Sequence, residues 1–149
     1  LWMSDTSAEK RDHWSPVSAM RQLEGDVLIH GLGLGLVVAA AIRLGHSVDV
    51  VEQDQRVIDA VGPSMEALAA EHGVECRIHH GDAYTYQFPK GQTWAVAWHD
   101  IWLDLCVDNL DEIANLHRRY GRRVEWQGSW GRELLRRERD RGRRSGWGW

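Results

Sequence analysis

Cysteine, lysine and long apolar runs are all scarce in this chain, and each scarcity excludes something. The only cysteines, Cys76 and Cys106, fall in different expected elements and have no metal-ligand spacing, so neither a disulfide framework nor a metal site is expected. They read as two buried thiols of a protein in a reducing, cytoplasmic compartment. No apolar run approaches the roughly 18 residues that a membrane helix needs. Leu1-Trp2-Met3-Ser4-Asp5 leads straight into charge rather than into a secretory leader. There is no internal repeat. A domain of this length buries roughly 68–70% of its unfolded surface and needs no staple.

Lys10 and Lys90 are the only lysines, so the base is almost all arginine. The formal net charge of −4 is unevenly spread. Nearly all the excess base follows Leu116, in Arg118-Arg119, Arg122-Arg123, Arg132, Arg136-Arg137 and the tail from Arg139 to Arg144. That asymmetry permits a nucleic-acid contact. A solvated helix face is the preferred reading, and nothing points to a membrane.

Two element types alternate along the rest. Asp26–His30, Ser47–Glu52, Val74–His79, Thr93–His99 and Arg123–Gln127 read as strands. Leu36–Leu44, Gln55–His72 and Leu105–Tyr120 read as helices, with Gly62-Pro63 expected to kink or split the second. The third carries an apolar stripe of Cys106, Leu110, Ile113, His117 and Tyr120. Ser129 is the expected N-cap of a last helix carrying Trp130, Leu134 and Leu135. Residues 145–149 read as a flexible tail. Alternation of this kind implies right-handed crossovers and a doubly wound parallel α/β sheet of about five strands, order 3-2-1-4-5. Ligands of such sheets bind beyond the C-terminal strand ends, beside strand 1.

Every polar motif falls at one of those ends. His30-Gly31-Leu32-Gly33-Leu34-Gly35 follows strand 1, where glycine lets the backbone turn sharply and approach a ligand closely. The helix N-terminus behind it favours an anionic group. The spacing is GxGxG, and the third glycine of a nicotinamide-dinucleotide loop is replaced by Leu36, which disfavours an NAD-type oxidoreductase. Glu52 ends strand 2, where a carboxylate accepts from ribose hydroxyls, with Gln53 beside it. Asp82, in Gly81-Asp82-Ala83, could accept from an adenine amine. Trp98-His99-Asp100-Ile101-Trp102 ends strand 4. There His99 and Asp100 are candidates for general base or substrate orientation, and Trp98 and Trp102 for walls around an apolar or cationic group.

These segments together resemble class I S-adenosylmethionine-dependent methyltransferases. The resemblance runs from about Leu23 to Gln127 and is carried by Val27–Gly35, Val50–Asp54, Gly81–Ala83 and the strand ending in Asp100. The spermidine synthase-like branch is the most similar, together with small methyltransferase-like proteins of phage and actinobacteria. The resemblance implies a Rossmann-like fold holding S-adenosylmethionine or S-adenosylhomocysteine. It implies that Gly31, Gly33 and Gly35, with His30, face the methionine part, Glu52 and Gln53 the ribose, and Asp82 and Ala83 the adenine. Asp100 matches the catalytic aspartate of aminopropyltransferases. Ala95 and Ile101-Trp102-Leu103-Asp104 depart from that branch's pattern, which puts polyamine recognition in doubt.

One S-adenosylmethionine-binding domain is expected over 1–144, with 1–22 lying over the cofactor mouth and Asp5, Asp12 or His13 within reach of substrate. The sheet is expected to stop after strand 5, without the family's strand 6–7 hairpin. Its edge would then be covered by the last helix or by a second copy in a homo-oligomer. The expected function is methyl transfer to an unknown acceptor, small molecule or otherwise. Aminopropyl transfer, another use of the same cofactor, or a non-catalytic binding module are the alternatives.

Overall fold

Val27–His30 (β1) has all four residues buried, because it is flanked on both edges and covered on both faces. In chain order, the elements of the computed structural model are α1 (Trp14–Gln22), β1, α2 (Leu36–Arg43), β2 (Val48–Glu52), α3 (Gln55–Glu71), β3 (Cys76–His80), β4 (Trp94–His99), α4 (Asn109–Tyr120), β5 (Val124–Ser129) and α5 (Arg132–Ser145). The structure describes residues 14–102 and 106–145. All strand pairs are parallel, in the order β3-β2-β1-β4-β5 that the alternation predicts. This is a Rossmann-like α/β fold. Among the described residues β5 pairs with β4 alone. No helix there is long and apolar enough to cross a membrane.

Strand alternation divides the core in two. Val27, Ile29, Val48, Val50, Val96 and Trp98 face α1, α2 and α3. Leu28, Val51 and Ala97 face α4 and α5, where Ile113, Leu116, Tyr120 and Leu135 are buried. Helix α1 packs along β4 and β5, and His46 ties it down, its ring nitrogens 2.7 Å from the carbonyls of Met20 and Gly25.

The β3–β4 crossover has no helix, and aromatic side chains close the gap. Phe88 lies 4.9 Å from Tyr86 and 4.8 Å from Trp94, edge to face. Arg119 donates to the carbonyls of Tyr84 and Tyr86, and Arg123 to those of Pro89 and Gln92. Two arginines of the basic run are therefore structural. Beneath this loop Asp49, buried in β2, accepts from Arg77 (2.9 Å), His79 (2.9 Å), Trp94 (2.9 Å) and Gln92 (3.2 Å). Burial alone would raise the Asp49 pKa, but the bonds from Arg77, His79 and Trp94 outweigh it and hold the carboxyl below its ordinary value.

Several local expectations need correction. Helix α3 runs unbroken through Pro63, whose exposed ring clears the core while Gly62 sits against Ile78. Helix α4 begins at Asn109, whose side chain accepts from the Cys106 backbone, so Cys106 lies in an exposed turn before it. Cys76 is half-buried, and burial pushes its thiol up to about 11. Ser129 is the last residue of β5, not an N-cap; α5 follows Gly131 at φ +73° and packs against α4. Helix α1 was not anticipated; Pro16 is tolerated because it falls in the first turn.

Candidate cofactor pocket

A cavity of about 900 Å³ opens beyond the C-terminal ends of β1, β2, β3 and β4. Its rim is the glycine loop, with φ of +96° at Gly31, +51° at Gly33 and +81° at Gly35. These are left-handed conformations that only glycine adopts without strain. Gly31 is constrained further, since a Cβ there would stand 2.0 Å from the carbonyl oxygen of Asp100. Gly31 and Gly33 line the cavity. Gly35 instead packs against α3, where a Cβ would lie 3.0 Å from the Met65 sulfur. We expect Gly35→Ala to cost about 1–2 kcal/mol, the left-handed penalty, in urea unfolding. A change within about 0.3 kcal/mol would show that the loop relaxes freely. Helix α2 has no side-chain cap, so its first N–H groups remain available to a carboxylate.

Glu52 is the hinge of the site. One oxygen accepts from Leu32 N in the glycine loop (2.9 Å), the other from Asp54 N (2.9 Å). Asp54 caps α3 through Arg56 N, and the Arg56 guanidinium closes on the same carboxylate. Across the cavity Asp82 accepts from Tyr84 N (2.8 Å), which fixes the Asp82-Ala83 turn. Gln53, Asp82, Ala83, Asp100 and Trp102 all line the space.

The sequence missed Tyr84, Glu112 and Trp130, which also line it. Glu112, in the first turn of α4, accepts from Trp102 Nε1 (2.7 Å) and the Tyr84 hydroxyl (3.0 Å). These bonds hold its pKa below the ordinary value. Burial, then the Glu112 bond, push the Tyr84 hydroxyl up to about 12. The available signal was topological: the first turn after β4 must face the strand ends. In sum the lining carries Glu52, Asp54, Asp82, Asp100 and Glu112 against a single guanidinium, that of Arg56.

Besides Gly35, three expected site residues do not reach the cavity. His30 and His99 are paired in register, so both point to the α4 face, where both are fully buried. Trp98 points to the opposite face and stacks on Trp126 at 6.4 Å. None of the described residues of α1 lines the cavity, and Asp5, Asp12 and His13 lie outside the described residues.

The buried histidines form a chain of assigned donors. Gln127 donates to the His117 carbonyl, so its oxygen accepts from His99 Nε2 (3.0 Å). His99 Nδ1 is then the acceptor and His30 Nδ1 the donor of their 2.7 Å bond. That leaves His30 Nε2 a bare acceptor, buried and without a partner among the described residues. His117 meets the Ser129 hydroxyl at 2.7 Å. Burial is the main cause lowering all three pKa values: His30 well below its ordinary value, His99 to about 4, His117 to about 3.

No protein-family model and no curated protein matches the chain. Its fold is that of solved methyltransferases. The CcbJ methyltransferase of Streptomyces caelestis matches with a TM-score of 0.57 at 19% identity, over 74% of this chain and 44% of that one. The 23S rRNA methyltransferase ErmE gives 0.58 at 17% identity, over 87% and 47%. The ribosomal protein L11 methylase of Lactobacillus delbrueckii subsp. bulgaricus gives 0.51 at 15% identity, over 75% and 55%. The chain thus spans about half the length of these structures.

Proposed function

We propose that the chain binds S-adenosylmethionine and transfers its methyl group to an acceptor. The observation that carries this reading is the composition of one cavity: the glycine loop, Glu52 and Asp82-Ala83 converge on a space that is acidic. A pyrophosphate would meet five carboxylates there, whereas a sulfonium and an ammonium would be attracted. The uncapped N-terminus of α2, just past the glycine loop, would receive the ligand's carboxylate. Trp102, Tyr84 and Trp130 line the same space and would surround the sulfonium with aromatic rings. The bound cofactor supplies an electrophilic methyl group. The protein's part is positioning, and Asp100, on the lining, would take the proton that an attacking amine or hydroxyl releases. Aminopropyl transfer from the decarboxylated cofactor would use the same pocket, without the carboxylate at α2.

Titration calorimetry with S-adenosylmethionine, S-adenosylhomocysteine and NAD tests this. The first two should bind and NAD should not. Glu52→Gln, which keeps an acceptor for only one of Leu32 N and Asp54 N, should weaken binding by at least about 10- to 100-fold, the value of a charge-assisted bond. Binding of NAD alone, or of none of the three, would overturn the proposal.

A further inference from the structure

We propose that α5 is a docking surface for the phosphate backbone of nucleic acid. The helix reads Arg-Glu-Leu-Leu-Arg-Arg-Glu-Arg-Asp-Arg-Gly-Arg-Arg-Ser, seven arginines against three carboxylates. Leu135 is its one fully buried anchor. Arginines recur at every turn in two rows, Arg132-Arg136-Arg139-Arg143 and Arg137-Arg141-Arg144. Like charges three and four residues apart oppose helix formation, and Arg132 in the first turn opposes the helix dipole. Glu133 in the first turn and Arg143 and Arg144 in the last suit the dipole, but the helix keeps a surplus of four cations that an anion lying along it would neutralise.

The fold neutralises arginines elsewhere. Arg77 holds three carboxylates, and Arg119 and Arg123 each hold two carbonyls. On α5 the ion pairs among the described residues are Arg136–Glu133 and Arg139–Asp140, both loose at 3.6 Å. Arg137, Arg141, Arg143 and Arg144 are exposed, with no ion-pair partner among the described residues. Burial, then Arg136, lower the pKa of the Arg132 guanidinium, the mark of crowded cations.

The partner follows from this chemistry. Rows repeating at a helical pitch of about 5.4 Å suit a linear anion with evenly spaced charges. Guanidinium forks bind phosphate in bidentate fashion. A membrane surface fits poorly, because Leu134 is the only large apolar side chain that α5 exposes. Helix α5 begins two residues after Trp130, which lines the cavity, so a nucleic-acid strand along it would end beside the pocket. The inference does not depend on what the pocket holds.

Fluorescence anisotropy with labelled oligouridine of about 20 nucleotides, between about 50 and 200 mM salt, is the test. The full chain should bind, and the logarithm of affinity should fall linearly with that of salt. Arg137→Gln/Arg141→Gln/Arg144→Gln changes exposed positions only, and its fold is checked by circular dichroism. It should weaken binding at least tenfold and reduce the salt slope by about 2, the loss of three phosphate contacts on a single strand. Oligothymidine of the same length should bind equally, because the contacts are to phosphate, and a difference of about tenfold or more between the two would overturn a backbone contact as the basis of binding. Absence of binding at the lowest salt, an unchanged triple variant, or tighter binding to phosphatidylserine vesicles would overturn the proposal.

Discussion

Asp49→Ala will remove about 3–5 kcal/mol from the free energy of unfolding, the range for breaking a buried ion pair. Asp49 is 1% exposed, yet it organises one face of the sheet. Its carboxylate gathers Arg77 from β3, His79 one turn of alternation further on, and the Trp94 indole from β4. Alanine would leave those donors facing a hole beneath a crossover that has no helix to fill it. The cost comes chiefly from the Trp94 indole and the His79 ring left without their acceptor, since Arg77 keeps Asp26 and Glu75, so a second variant separates the causes. Asp49→Asn, which keeps an acceptor oxygen in the cluster, should lose less than Asp49→Ala. Urea unfolding gives both values. A loss below about 1 kcal/mol in Asp49→Ala would show that water already solvates these donors.

The second large effect is acid sensitivity between about pH 6.5 and pH 4. His30 and His99 are buried in their neutral forms, so their folded pKa values lie below the unfolded value of about 6.5. Below that value the unfolded chain binds more protons than the folded one, and stability must fall with pH. Their contribution is fully present above about pH 6.5. It is lost progressively down to the folded pKa, about 4 for His99. At about 1.4 kcal/mol per unit, His99 alone accounts for roughly 3 kcal/mol by pH 4. His30 acts in the same direction. His99→Asn removes one titrating ring and should lower the slope of unfolding free energy against pH by about 1.4 kcal/mol per unit in this window. Identical slopes in the two proteins would mean that the His99 ring reaches solvent when it protonates.

The strand order and most of the pocket were legible because both depend on patterns that sequence carries directly. Apolar runs ending in glycine or acid mark buried parallel strands and their ligand-facing ends. What was not legible was side. His30, Trp98 and His99 stand in strands buried on both faces, where composition gives no alternation to read. Register decides instead: His30 pairs with His99 and Ile29 with Trp98, which sends the two histidines under α4 and the tryptophan under α1. None of the three lines the pocket. Pro63 misled for a different reason. Its ring faces solvent, so packing of the helix around it overrode the local cost. Glu112 was passed over because its neighbours in sequence are ordinary helix-surface residues, and the donors that define it come from Tyr84 and Trp102.

Glu52 bears on how the pocket would meet a ligand. Both carboxylate oxygens are engaged by backbone N–H groups of separate segments, Leu32 and Asp54. Its rotamer is therefore selected by the fold, before any ligand arrives. Immobilising a flexible side chain at a binding site ordinarily costs about 0.5–1.5 kcal/mol. Here that cost falls within the folding free energy, so the site is preorganised. The same two bonds make the glycine loop and the start of α3 one mechanical unit, and a ligand that accepts its place beside Glu52 restrains both at once.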